Sequence, residues 1–301
     1  MQHLTQEHLK SHRPNGRKED SMRIKGIIKV IVLLALDFAL FGYLFDAKVA
    51  AIITVVVALY AWLGEYLAMF RDRAVSEKRL NELDRAKLER TRAILADESS
   101  RKGVHKLPKY RLHVIPSDEA NAFAYGISNI SVTRGTLQCD EVTLAAVLAH
   151  EVSHTANLDA VVSRLLFANI TGAVLGLSLT SFIATASIWI IFGILALIGV
   201  CGGLFSLLVV NALSKASKGL FRVIQHIVLF AYQAIIGSIN KMVEYRCDGF
   251  AARIGLGQNL AYFLSTYVGD QDSRQRSLRE ILYDSHPATY KRVLRLEEHN
   301  G

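Results

Sequence analysis

Two histidines and a glutamate lie close together in the segment LAAVLAHEVSHTANLDA, which runs from Leu144 to Ala160. Residues four apart on a helix share one face, so His150 and His154 would point the same way, about one turn apart. Two imidazoles in that arrangement can bind one zinc ion, and Glu151, rotated off that face, is suited to act as a base on water. The HExxH spacing therefore predicts metal-dependent hydrolysis of peptide bonds.

Chance occurrence of these three residues is the alternative. The helix is strongly apolar before the motif. Histidines on a buried helix need partners, because an unpaired buried polar group is costly. We therefore favour the metal-binding interpretation.

A third ligand is required, since a catalytic zinc site has three protein ligands and one open position. Glu244 in the segment EYRCDGFAA is the best candidate, and Asp248 shares its helical face. Asp248 would orient a ligand imidazole and fix its tautomer. Cys247 is the alternative ligand, because thiolates bind zinc well, but the helix would have to turn its other side to the metal.

The apolar residues are concentrated in long blocks, and 51% of the 301 residues are hydrophobic. The blocks Ile27–Phe45 and Val49–Phe70 each cover the ~20 residues needed to cross a bilayer, which predicts a transmembrane hairpin over 27–70. Lys and Arg residues flank both of its ends, so the positive-inside rule puts both flanks in the cytoplasm. Residues 1–26 form a basic tail that is longer than the charged start of a cleavable signal peptide, so we expect a retained anchor.

A second apolar region covers residues 161–212 and predicts another transmembrane hairpin with a turn near Ser187. The apolar segment that follows it either borders the membrane or makes a fifth crossing. The zinc ligands before and after these segments must meet at one site, so the chain between them crosses an even number of times. The peptidase domain would then consist of two halves, 71–160 with the zinc helix and 213–301 with the third ligand.

Two acids lie inside the first predicted hairpin, where a central charge is costly. Each either contacts another helix or the catalytic region, or is protonated or exposed to water near a bundle interior. For Glu65, which is close to the end of its span, we favour the second interpretation. For Asp37 both interpretations stay open.

The remaining segments predict the soluble part. Residues 71–108 are polar and helix-prone, and Asp140 is a suitable N-cap for the zinc helix. The segments YRLHVI, NAFAYG and ISVTRGTL predict short strands. The expected fold class is a mainly α-helical membrane protein with a small β-sheet, whose peptidase domain is preceded and interrupted by transmembrane helices.

Composition excludes several other classes. The three cysteines, Cys139, Cys201 and Cys247, are widely spaced and form no disulfide framework, which favours a reducing compartment. The net charge of +8 is explained by membrane orientation and lipid contact. No tract favours nucleic acid as a partner. The sequence does not predict an oligomeric state.

Four segments resemble the HtpX-like membrane zinc peptidases, whose wider relatives include the CaaX prenyl proteases. They are HEVSHTANLD at the zinc helix, EYRCDGFAA, NAFAYG over Asn121–Gly126, and SHPATYKRVLRL near the C-terminus. The order of apolar hairpin, zinc helix, apolar hairpin and glutamate is also similar, and the resemblance runs from about Ile27 to Leu296. It implies a gluzincin-like zinc peptidase domain, in which a small sheet packs on the zinc helix.

The same resemblance implies the members of the zinc site. One zinc ion per chain would be bound by His150, His154 and Glu244. Glu151 would be the catalytic base. Asp159 and Asp248 would support the ligands as second-layer carboxylates.

The resemblance also implies residues of the substrate cleft. Asn121, Ala122 and Phe123 would lie along a bound peptide that adds a strand through backbone groups. His286 and Arg292 would be catalytic groups near the cleft that stabilise the oxyanion. His286 could instead be no more than a residue at the start of a helix.

These observations predict an integral-membrane zinc endopeptidase that cleaves membrane or misfolded proteins at the cytoplasmic face of the inner (plasma) membrane. Its partners would be a protein or peptide substrate and the lipid bilayer. One alternative is a CaaX-type processing protease, which would need a large enclosed chamber. Another is a zinc-stabilised membrane scaffold without turnover, against which the presence of Glu151 argues.

Overall fold

Long helices dominate the fold, and one small sheet lies among them, as predicted. A computed structural model describes residues 17–44, 46–104, 106–199, 203–268 and 287–298. The helices, in chain order, are α1 Arg17–Leu44, α2 Ala47–Arg71, α3 Glu82–Arg101, α4 Arg134–Leu137, α5 Glu141–Ala156, α6 Asp159–Leu197, α7 Gly203–Arg253, α8 Gly257–Phe263 and α9 Thr289–Glu298.

Three helices in the described ranges are long and apolar enough to cross a membrane, namely α2, α6 and α7 from Ser206 onward. Helix α1 packs against α2 in the expected hairpin, and Asp46 caps the start of α2 by accepting from two backbone amides. That α1 itself crosses the membrane stays a prediction. The division of the chain at residues 26, 70, 160 and 212 also stays a prediction.

The expected turn near Ser187 is wrong, because α6 runs unbroken for 39 residues to Leu197. No proline interrupts the sequence there, and hydroxyl side chains bond back to their own helix, as Thr185 does to the carbonyl of Ser181 at 2.8 Å. Helix α7 then continues for 51 residues, from Gly203 to Arg253, through the basic stretch SKASKGLFR. Helix α6 therefore leads away from α5 and α7 returns to it, and the even number of crossings stays a prediction.

The sheet has four strands, which are β1 Val75–Ser76, β2 Arg111–Ile115, β3 Ala122–Ala124 and β4 Asn129–Thr133, in the order β1-β2-β4-β3. Strands β2 and β4 are parallel, whereas β3 pairs antiparallel with β4. Strand β3 therefore lies at one edge of the described sheet, and it packs against α5.

Helix α5 is the centre of the soluble core. Asp140 caps it as predicted, and its side chain accepts from the amides of Val142 and Thr143. The helix is buried on nearly all sides and packs against α3, α7 and α8. An almost fully buried helix explains why the sequence before the histidines is uniformly apolar.

Glu65 does not fit the interpretation we favoured, since it is buried and accepts a hydrogen bond from the Asn129 side-chain amide. Asn129 in turn bonds His113 through its oxygen, at 3.1 Å from Nε2. Arg164 on α6 donates to the carbonyl of Ala61 on α2 at 3.1 Å. These contacts join the transmembrane helices to the sheet.

Asp37 also makes a polar contact between helices. Its Oδ1 accepts a hydrogen bond from Asn169 Nδ2 at 2.8 Å, so α1 is held to α6 inside the apolar region. Two interpretations of Asp37 were left open, and the structure contains the contact with another helix.

Candidate active site

Both predicted histidines lie on one face of α5 and face each other across a short gap. His150 Nε2 and His154 Nε2 are 3.1 Å apart, and the two rings cross at 72°. His150 is only 6% exposed. The two ring nitrogens therefore point towards a common position beside the helix.

The carboxylate of Glu244 on α7 approaches the same position. Its Oε2 lies 3.4 Å from His150 Nε2, and its Oε1 lies 3.5 Å from His154 Nε2. A tetrahedral zinc ion with ligand bonds of ~2.0–2.1 Å requires ligand atoms about 3.3–3.4 Å apart. Two imidazole nitrogens and one carboxylate fit zinc in chemistry, and their separations of 3.1, 3.4 and 3.5 Å are close to that spacing.

Asp248 lies behind His150, one helical turn after Glu244. Its Oδ1 is 2.9 Å from His150 Nδ1. Burial alone would lower the pKa of His150, but the hydrogen bonds to the two carboxylates raise this pKa to about 10. In the presence of a metal, a proton on Nδ1 would face Asp248 and leave Nε2 as the ligand atom.

Arg292 on α9 is enclosed by the same carboxylates. Its guanidinium makes two hydrogen bonds to Asp248, and its Nη1 lies 3.0 Å from Glu244 Oε2. The side chain is 11% exposed. Sequence reasoning placed Arg292 near the cleft as a catalytic group, and the structure brings it to the zinc-ligand cluster. His286 lies outside the described residues.

Asp159, at the start of α6, supports the second histidine. Its Oδ2 is 3.2 Å from His154 Nδ1 and also accepts a hydrogen bond from Arg246. Sequence reasoning missed Arg246, whose only signal is a cation between two acids in EYRCD. Each ligand histidine thus has a carboxylate on its second nitrogen and an arginine on that carboxylate.

Cys247 lies closer to the site than we expected. His154, Asp159 and Cys247 also form a group whose ligand atoms lie within 4.8 Å of one another. We expected the helix to turn Cys247 away from the metal, and this expectation is wrong. Cys247 follows Glu244 by three residues, and residues three apart on a helix share a face. His154 belongs to both groups, so the two groups compete for it as a ligand.

Glu151 follows the first ligand along α5 and is 8% exposed. Its carboxylate has no hydrogen bond or ion pair with the described part of the chain. A carboxylate held beside a cluster of ligands without a partner of its own is free to exchange a proton with water.

The segment Asn121–Phe123 enters the edge strand β3. Phe123 is 39% exposed. Alternation along an antiparallel pair turns the backbone groups of Ala122 and Ala124 away from β4. The amide of Ala122 is hydrogen-bonded to Asn121 Oδ1 at 2.8 Å. Most of the outward edge is therefore open to an added strand.

Comparison with known proteins identifies the family. Residues 82–300 match the description of peptidase family M48, and the chain belongs to this family. A protein named Protease HtpX homolog from Lactobacillus acidophilus is 27% identical over 308 residues, which cover 90% of this chain and 94% of that protein. A protein of the same name from Aquifex aeolicus is 35% identical over 91 residues, which cover 29% of this chain and 28% of that protein.

Among solved structures, the crystal structure of S. mikatae Ste24p is similar, with a TM-score of 0.45 and 18% sequence identity. That alignment covers 89% of this chain and 61% of Ste24p, so the chain spans less than two thirds of the neighbour's length. Family membership and the long apolar helices together make the chain a membrane protein of a peptidase family.

Proposed function

We propose that the chain is an integral-membrane zinc endopeptidase that hydrolyses peptide bonds of membrane or misfolded proteins at the cytoplasmic face of the inner membrane. The observation that carries this proposal is the meeting of His150, His154 and Glu244. The two Nε2 atoms are 3.1 Å apart, and the carboxylate has Oε2 3.4 Å from that of His150 and Oε1 3.5 Å from that of His154. The free carboxylate of Glu151 beside these three residues supports turnover over a purely structural zinc site.

Zinc, when bound by these three residues, would supply a Lewis acid that polarises the scissile carbonyl and makes water more acidic. Glu151 would take a proton from the attacking water and deliver it to the leaving amine. Its position on the residue after His150 supports this role, because the side chain is close to the ligands but rotated away from them.

The carboxylates behind the histidines would keep each imidazole in one tautomer. Asp248 would hold the proton on Nδ1 of His150, and Asp159 would do the same for His154. Arg292 is paired with both Asp248 and Glu244. This supports a role in positioning these two carboxylates, rather than the stabilisation of the oxyanion that the resemblance implied. A role for His286 in catalysis stays a prediction.

The substrate would bind as an added strand along β3. The outward backbone groups of Ala122 and Ala124 support this, because strand addition requires unpaired amides and carbonyls at a sheet edge. The amide of Ala122 now donates to Asn121 Oδ1. When a peptide binds, this amide would donate to a carbonyl of the peptide instead. Phe123 would line the cleft.

The cytoplasmic side is supported by charge. The start of α1 carries Lys and Arg residues, and α2 ends at Arg71. Both lie at the end of the hairpin that meets the sheet and α5. Gly26 on α1 approaches the end of α5 so closely that a Cβ there would lie 2.6 Å from the Asn157 carbonyl oxygen. By the positive-inside rule, these contacts support a zinc site on the cytoplasmic side.

The test is a cleavage assay with a matched pair of variants. The full chain would be purified in detergent, stripped with a chelator, reloaded with zinc and mixed with unfolded casein. We expect Glu151→Gln to bind one zinc per chain and to lose about 10²–10⁴-fold in cleavage rate. Glu141→Gln on the same helix removes only the exposed pair with Arg90 and should cleave normally.

Three other results would redirect the proposal. Equal cleavage by wild type and Glu151→Gln would remove Glu151 as the base. Stoichiometric zinc without cleavage of casein by either protein would favour a dedicated substrate or the zinc-stabilised scaffold. Cleavage of a prenylated C-terminal peptide in place of casein would favour the CaaX-type processing protease.

A further inference from the structure

A second cleft lies between α6 and α7, on the stretch of the hairpin away from the zinc site, and it encloses about 680 Å³. Its floor is fixed by Gln225, whose Nε2 donates to Ser178 Oγ at 2.8 Å and to the Val174 carbonyl at 3.2 Å. The hydroxyls of Ser178, Ser181 and Thr185 follow one another along the α6 wall. The cleft is thus a polar interruption in an otherwise apolar pair of helices.

The α7 wall of the cleft carries two cations. Lys218 and Arg222 are four residues apart and share one helical face. The sequence contains no Asp or Glu between Asp159 and Glu244, so the hairpin itself offers them no counterion. Neither cation forms an ion pair with any described residue.

Apolar surface continues on both sides of the cleft. Residues 223–240 carry no Lys, Arg, Asp or Glu and extend for about 27 Å towards the zinc site. On the far side, Ile190, Ile194 and Leu204 are exposed apolar side chains. Cations in such surroundings are costly unless they meet an anion, and the membrane itself supplies one.

The rim of the cleft is aromatic. Phe182 and Trp189 on α6 and Phe221 on α7 surround the cations and hydroxyls. An occupant must therefore present an anionic group to the wall and floor and an apolar part to the rim. Inorganic phosphate satisfies the first requirement only, whereas a phospholipid satisfies both.

We propose that this cleft binds one anionic phospholipid. The phosphate pairs with Lys218 and Arg222, since a guanidinium matches phosphate oxygens with two parallel hydrogen bonds. The Ser181 hydroxyl donates to a remaining phosphate oxygen, since Ser178 and Thr185 already donate theirs to carbonyls of α6, and the acyl chains lie against the aromatic side chains. This inference is independent of the proposed peptidase activity, because none of these residues belongs to the zinc site.

The test measures lipid binding to the purified full chain in detergent by native mass spectrometry. The probes are phosphatidylglycerol and phosphatidylcholine. Wild type should retain one phosphatidylglycerol with an affinity on the order of tenfold or more above that for phosphatidylcholine. The double variant Lys218→Gln/Arg222→Gln should lose this preference.

Two matched variants control the experiment. Lys29→Gln/Lys48→Gln removes two cations from the first hairpin, outside the cleft, and should keep the preference. Lys218→Arg/Arg222→Lys keeps both charges and should keep it too. The Tm in detergent reports on folding, and if the double Gln variant does not fold, the single variants Lys218→Gln and Arg222→Gln replace it and should each weaken the preference.

The proposal is overturned if wild type binds both lipids equally, or if the cleft variants, double or single, keep the full preference. Equal loss in the Lys29→Gln/Lys48→Gln control would also overturn it, because the effect would then be one of general charge. Displacement of the lipid by millimolar inorganic phosphate would show a small-anion site instead of a lipid site.

Discussion

Arg292 holds Asp248 with two parallel hydrogen bonds, from Nε to Oδ2 at 2.8 Å and from Nη2 to Oδ1 at 2.7 Å. The same Oδ1 lies 2.9 Å from Nδ1 of His150. A single carboxylate on α7 therefore connects the helix α9, near the C-terminus, to the zinc helix. The position of the His150 ring depends on a helix that follows it by more than a hundred residues.

Asp248→Asn keeps the size of the side chain but removes the charge that pairs with Arg292 and orients His150. Outer-shell partners of this kind contribute about 10–100-fold to metal affinity, and we expect a loss in that range. Competition with a chelator of known zinc affinity measures it. Asp97→Asn, which removes an exposed pair with Arg101, is the control, and an unchanged affinity in Asp248→Asn would contradict the positioning role.

The choice between Glu244 and Cys247 as third ligand is a separate test. Glu244→Gln should lower zinc affinity by more than the about 100-fold that an outer partner can cost, because it removes a ligand oxygen. Cys247→Ser should keep stoichiometric zinc. Zinc content after dialysis distinguishes the two variants. Retention by Glu244→Gln together with loss by Cys247→Ser would assign the metal to the group that contains Cys247.

Zinc binding should depend on pH with a definite sign. In the metal-free protein, burial lowers the pKa of His150, but the carboxylates of Asp248 and Glu244 outweigh it and raise the pKa to about 10. Burial also lowers the pKa of His154, but Cys247, Asp159 and Glu244 outweigh it and raise that pKa well above its ordinary value. Zinc must displace a proton from each imidazole that carries one, so the zinc affinity should fall by at least about tenfold for each pH unit from about pH 8 to about pH 6. Titrations at several pH values measure the slope. An affinity that is independent of pH would mean that His150 is already neutral.

Stability of the metal-free protein should show the opposite trend. A histidine whose folded pKa is raised contributes stabilisation that is fully present below its unfolded pKa of ~6.5. This contribution is lost as the pH rises through the folded value of about 10. Thermal unfolding of the chelator-treated protein in detergent should therefore show this contribution decline above neutral pH.

The junction of membrane helix and sheet is sensitive to one glycine. Gly126 has a φ of +135°, and a Cβ there would lie 2.5 Å from Glu65 Oε2. Gly126→Ala should lower stability by about 1–3 kcal/mol, through backbone strain and displacement of the buried carboxylate. The measurement is the Tm in detergent.

Gly172→Ala is the matched control for that substitution. Gly172 lies within α6 and a Cβ there meets nothing within 4 Å, so alanine should stabilise the helix by about 0.5–1 kcal/mol. Equal Tm values for the two alanine variants would show that the approach of Glu65 to Gly126 is unimportant.

Short-range patterns made part of the site predictable. His150, Glu151 and His154 lie on one helix, where spacing alone fixes the faces that they share. The cap at Asp140 and the strands around residues 111–133 follow from equally local signals. Glu244 was a candidate because the chemistry of a catalytic zinc site requires a third ligand, and the structure brings its carboxylate within 3.5 Å of both histidines.

Contacts between distant segments could not be predicted in this way. The position of Glu65 near the end of an apolar span favoured a protonated or water-exposed residue. In the structure, Asn129 donates to its carboxylate across the junction with the sheet. Arg246 had no distinguishing pattern until α7 was packed beside Asp159. The turn near Ser187 was wrong because hydropathy reports the length of a membrane crossing and not the length of the helix that makes it.

The sequence by itself determined the membrane class and the HExxH motif from which we propose a zinc site and a base, because periodicity and residue chemistry act within a few turns of one helix. Only the tertiary structure decided which carboxylate supports which histidine, where Arg292 and Cys247 lie, and which cations of the long hairpin remain without a counterion in the described chain. Those relationships depend on how helices far apart in the chain pack together, and a single sequence carries no direct measure of that packing.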